Sequence, residues 1–259
     1  MKINPITIII LIIALIALIL GGMLLFRSPE ENGEVDDPEI TPIENGDEND
    51  VEEESFEERL EEVVKGFIGL PQKSGALDEE TLYTEEGFDS TTLVLSSVAK
   101  VHSREDPEER MKEINYYPAG DVSYENRLHY SSYRNKISPY FSDITEEVGG
   151  NRVEKKTVTL NKDRLIDIDW EEEIELAYIP AEDVFYALPQ LPYICGAMFL
   201  VEGDEDIGLD VRGEGIVIDS VDFVYASSKE EEVVNVDFLE YLDESDFDGV
   251  IFYEFVEVE

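Results

Sequence analysis

The sequence predicts an α+β protein in which N-terminal helices pack on an antiparallel sheet, preceded by one transmembrane helix. Three observations predict it. Up to about residue 114, apolar residues recur at helical spacing. From Val153 onward, short β-branched or aromatic runs alternate with Gly, Asp, Asn and Pro. Ahead of both stands an uncharged run, Ile6–Phe26, of 21 residues. Helices first and strands afterwards is the order of an α+β domain, and no internal repeat argues otherwise.

Ile6–Phe26 is rich in Ile and Leu and is bracketed by Lys2 and Arg27. At about 1.5 Å per residue it reaches about 30 Å, the thickness of a bilayer core. No A-x-A pattern follows Phe26, and no cysteine is available there for lipidation, so residues 1–27 read as an uncleaved anchor. Lys2 and the free amine set the favoured orientation, with the N-terminus inside and the C-terminal domain outside the cell. Residues 28–54 read as an acidic, disordered linker. From Glu30 to Glu58 there are 15 acids and no base, interspersed with Pro, Gly and Asn, a composition that cannot bury a core.

A single domain is then expected over 55–259. A helix starting near Val51–Phe56 and running to residue 70 would set Phe56, Leu60, Val63, Val64 and Phe67 on one face. The stretch GFDSTTLVLSSVA (87–99) reads as the central helix, capped by Asp89 or Ser90, with Leu93, Val94, Val98 and Val101 inward. PEERMKEI (107–114), with Pro at its first turn, is a further short helix. The Tyr-rich segment 114–137 carries Arg127, His129 and Tyr130, which read equally as a polar ligand patch or as core aromatics with polar tips outward.

Seven strands are expected: KTVTL, IELAYI, ICGAMFLV, GIVI, DFVYAS, EVVNV and VIFYEFVEV. AEDVFYAL (181–188) and DFLEYL (237–242) read as short helices between them. The single cysteine, Cys195, excludes an intramolecular disulfide and reads as a small buried hydrophobe. GDEDIGLD (203–210) resembles a calcium loop only loosely, since the EF-hand spacing and closing glutamate are absent, so no metal and no cofactor is expected. The formal net charge of −44 opposes binding to nucleic acid and anionic headgroups. With 12 Phe, 13 Tyr and 42% apolar residues, the chain is nonetheless rich enough to fold.

Four stretches in order resemble one family, the papain-like, NlpC-type amidases described as N-acetylmuramoyl-L-alanine amidase-like. GFDSTTLVLSSVA resembles the nucleophile helix F-D-C-x-T-F-V-E, and VSYENRLHYSSYR resembles Y-x-x-R-L-H-Y. AYIPAEDV resembles a Y-I-P step into a short helix. GLDVRGEGIVI with DFVYASS resembles G-L-D-V-S-H-x-G-I-x-I followed by H-A-S-S. The resemblance covers about residues 55–258 and implies a papain-like domain with Asp89, Arg127, His129 and Tyr130 on the ligand side.

The departures fall on the chemistry. Where the family has its cysteine nucleophile this chain has Ser90; where it has the histidine base, Gly213; where it has the third polar residue, Tyr225. A serine hydroxyl is a poor nucleophile without a base, a glycine offers none, and a tyrosine is no general base at neutral pH. The resemblance therefore implies a membrane-anchored, externally displayed pseudoenzyme that keeps a groove for a muropeptide or another peptide. An active serine-dependent amidase is the competing expectation, decided by whether a base approaches Ser90. A purely structural surface domain is the third, decided by whether the groove is filled.

Overall fold

The computed structural model describes residues 54–77, 81–118, 120–163, 168–204 and 208–258. The expected anchor 1–27, and the expected linker up to residue 53, lie outside the described residues. Among the described residues no helix is long and apolar enough to cross a membrane.

Helix α1 (Phe56–Gly66) starts where the acidic run meets its first apolar stripe. Ser55 and Glu58 close a reciprocal capping box, with Ser55 N donating to Glu58 Oε2 at 2.9 Å and Glu58 N donating to Ser55 Oγ at 3.2 Å. The helix ends at Gly66, short of the expected residue 70, although Phe67 still turns inward and is buried. Helix α2 (Ser90–His102) is capped by Asp89, whose Oδ1 accepts from Thr92 N at 2.7 Å. Leu93, Val94, Leu95, Val98 and Ala99 are all fully buried, because α2 has neighbours on both sides. It packs against α1 and α3 (Pro107–Asn115) on one side and against the sheet on the other. Helix α4 (Ser131–Ile137) closes the helical half.

The strands are β1 (Phe141–Asp143), β2 (Glu154–Asn161), β3 (Glu171–Pro180), β4 (Ile194–Leu200), β5 (Gly213–Ile218), β6 (Asp222–Ser227), β7 (Glu232–Asp237) and β8 (Gly249–Phe255). Short helices α5 (Thr145–Gly149), α6 (Val184–Ala187) and α7 (Phe238–Asp243) connect them. All pairings are antiparallel, in the order β2-β3-β8-β4-β5-β6-β7, with β1 added beside β8. The expected strands are all present; β1, α4 and α5 were not expected. β8 is the last strand in sequence but sits in the middle of the sheet, so six of its seven residues are buried.

Each face of the sheet carries its own core. One holds α1, α2 and α3 against Ile216, Ile218, Val224 and Ile251. The other, under α5, α6 and α7, gathers Phe199, Phe223, Phe238, Val250 and Phe252. Cys195 belongs to the second core, and burial pushes its thiol up to about 12. At Gly196 the ring of Tyr253 lies so close that a Cβ would meet it at 2.0 Å, so only glycine fits.

Candidate functional site

Asp89 and Ser90 stand where the chain enters α2. Asp89 holds the helix start with one carboxylate oxygen and takes Gly75 N with the other at 3.2 Å. Two residues further along that strap, Leu77 O accepts from Arg127 Nη1 at 3.3 Å. Segment 75–77 thus links Asp89 with Arg127. Across from the helix start is the first residue of β5: a Cβ on Gly213 would lie 3.7 Å from Ser90 Oγ. Asp89, Ser90, Gly213 and Arg127 therefore share one neighbourhood.

The remaining residues assigned from sequence are engaged elsewhere. His129 donates from Nε2 to Tyr124 O at 2.7 Å. Burial, with the cations of Arg127 and Lys162 nearby, pushes its imidazole down to about 4, so it is neutral and weakly basic at pH 7. Tyr130 is 2% exposed, stacks on Trp170 and accepts from Asn161 N with its hydroxyl at 3.0 Å. It is a core residue, so of the two readings open for the Tyr-rich segment the packed one holds at this position. Tyr225 pairs with Val234 in the sheet, and its ring stacks on Phe223 and meets Tyr241 at 4.6 Å, against the second core.

Lys162 shapes the Arg127–His129 segment from beneath. It is 2% exposed, donates to Glu125 O and Arg127 O at 3.1 and 3.2 Å, and lies over the rings of Tyr117 and Trp170. Burial pulls its ammonium down from the usual lysine range, and among the described residues no carboxylate offsets that cost.

Beside Gly213 lies a buried ionic network that sequence reasoning missed. Glu214 and Arg134 have no exposed side-chain surface and form a two-pronged pair, with N–O distances of 2.9 and 3.1 Å. Ser131 Oγ and Tyr253 Oη donate to the same carboxylate at 2.7 and 2.9 Å. Burial alone would raise the Glu214 carboxyl, but the guanidinium and the two hydroxyls outweigh it and hold Glu214 below the usual carboxylate range. Asp210 accepts from Ser132 N at 2.7 Å, and burial pushes its carboxyl up. The sequence signal was available: a lone acid inside the apolar strand GEGIVI requires a buried partner.

The acidic loop at 203–210 is spent on structure at its described positions. Asp204 pairs with Arg212, Asp210 caps the start of α4, and no cluster of three metal-ligating side chains occurs among the described residues. None of five cavities among the described residues is lined by Ser90, Gly213 or Tyr225.

The model of the AmiA-like family, described as N-acetylmuramoyl-L-alanine amidase-like, matches residues 62–250. Among solved structures, the chain is similar to a Legionella pneumophila protein assigned to the DUF1460 family, with 19% identity and a TM-score of 0.69. That match covers 78% of this chain and 90% of the other. It is also similar to an N-acetylmuramoyl-L-alanine amidase from Bacteroides uniformis, with 17% identity, a TM-score of 0.58, and 76% and 99% covered. At such identities these likenesses show the fold alone. A comparison with curated proteins gives no significant match.

Proposed function

The chain belongs to the N-acetylmuramoyl-L-alanine amidase-like family, and we propose that it is a catalytically degenerate member that binds a muropeptide or peptide without cleaving it. In this reading the domain has papain-like, NlpC-type architecture, with Ser90, Gly213 and Tyr225 at the places of nucleophile, base and third polar residue. Asp89 and Arg127 border the ligand, with His129 behind them.

One observation carries it. The position 3.7 Å from Ser90 Oγ, where a base would be rooted, belongs to a residue without a side chain. A hydrolytic nucleophile stripped of its base loses on the order of a million-fold in rate. His129 is no replacement, since its Nε2 proton is given to Tyr124 O and its basicity is low.

The test is hydrolysis of N-acetylmuramoyl-L-alanine by the purified protein, run beside Ser90→Ala. Equal background release from both supports the proposal. Turnover that disappears in Ser90→Ala overturns it in favour of a serine-dependent amidase.

The external, membrane-anchored location is part of the same proposal. It rests on the uncharged run Ile6–Phe26 and its flanking charges. Intact-mass measurement on protein extracted from membranes should find that segment attached, and a soluble form beginning after Phe26 would refute the anchor.

A further inference from the structure

The sheet splits on one side of β8, and the split leaves a cleft. β3 pairs with β8 only at Ile179↔Val250 and Pro180↔Gly249. Further along, β1 takes over that edge, from Asp143↔Tyr253 to Phe141↔Phe255, while β4 occupies the other. Residues 174–176 of β3 are therefore laddered to β2 alone. Between β3 and β8, closed by α4, is a cavity of about 190 Å³.

Its walls are apolar: Ile174, Leu176, Met198 and Ile251 are each at most 6% exposed. Two of its polar wall groups have spare hydrogen-bonding capacity, the unpartnered Ser132 hydroxyl and the Asn135 amide, on residues 9% and 7% exposed. Arg134 donates to Asn135 Oδ1 from Nε and Nη2 at 3.0 and 2.8 Å, which fixes the orientation of the amide. Asn135 Nδ2 is then left with the Met198 thioether at 4.0 Å, a weak acceptor that engages one of its two protons. At the exposed rim are Lys136, Asp143 and Glu175, and Glu175 is already paired with Lys155.

We propose that this cleft binds a small neutral molecule with an apolar body and one oxygen acceptor, of the phenol or cyclic-alcohol class. The oxygen takes the free Asn135 amide proton, and the body fills the space between Leu176 and Ile251. An apolar cavity of about 150 Å³ accepts benzene, so this one has room for a six-membered ring with a substituent. The site is separate from Ser90 and its fate does not depend on the function proposed there.

Phenol titrated into the full-length protein, followed by methyl NMR, tests it. Saturable shifts are expected at Met198, Ile174 and Ile251. Phenol should bind more tightly than benzene by roughly threefold to tenfold, the worth of one net hydrogen bond. Leu176→Phe fills the space and should abolish the shifts; Ile174→Phe serves the same purpose if the first variant does not fold. Absent or non-saturating shifts, benzene binding as well as phenol, or undiminished binding by a folded filled variant would each overturn the proposal. The comparison of phenol with benzene needs no variant.

Discussion

Gly213 faces Ser90 across the start of α2, so close that a Cβ on residue 213 would stand 3.7 Å from the serine oxygen. The glycine is not in the left-handed region of backbone space, and the nearest atoms to that Cβ position belong to Ser90 alone. A side chain is therefore sterically tolerated at its root, and would begin its course toward the hydroxyl.

This makes restoration of catalysis a fair experiment. Ser90→Cys, Gly213→His and Tyr225→His introduced together should raise release of alanine from N-acetylmuramoyl-L-alanine above background. Single restorations should give almost nothing, because the groups of such a triad act as a unit. The weak point is Tyr225, whose ring is packed against Phe223 and Tyr241, so the triple variant should also melt at a lower temperature.

Glu214→Ala should destabilise the domain by roughly 3–5 kcal/mol in denaturant titration, since it leaves the Arg134 guanidinium buried and unpaired. Arg134→Met combined with Glu214→Leu should cost less than Glu214→Ala alone, because no charge remains inside. A double variant that loses more than Glu214→Ala alone would show that the pair contributes more than the desolvation it demands.

His129 supplies a pH dependence with a definite sign. Its folded value is depressed to about 4, below the ordinary value of 6.5, so the unfolded chain takes up the proton first. The stability it contributes is complete above about 6.5 and is lost as pH falls toward 4. Compared with His129→Gln, the unmodified protein should lose several degrees more in Tm between pH 7 and pH 4.5. Parallel curves for the two proteins would exclude His129 as the source.

Salt should raise the melting temperature. The chain has 63 acidic against 19 basic residues, and added ions screen the mutual repulsion of the excess. Thermal scans across a sodium chloride series check this. A flat midpoint would mean that local pairs such as Arg59–Glu257 and Lys65–Glu61 already balance the field.

What the sequence determined by itself was the part written in local chemistry. Helical spacing placed α2, and the oxygen-bearing Asp89 marked its first turn, because a cap is a contact between residues three apart. β-branched runs bounded by Gly, Asp and Pro placed the strands, since pleated geometry and turn chemistry are both short-range. The ordered motifs identified the family and set Ser90 and Gly213 as a pair worth examining. Tertiary structure alone decided the rest. β8 became a central strand because neighbours from distant parts of the chain cover both its edges, which its own alternating pattern cannot encode. Tyr130 and Tyr225 went to packing because Trp170 and Tyr241, each from another part of the chain, meet their rings. Glu214 acquired its partners in the same way: Arg134 is 80 positions away and Tyr253 is 39. Local sequence carries the propensity of each segment, but the buried Glu214 carboxylate is stable only beside the Arg134 guanidinium, and the fold alone brings the two together.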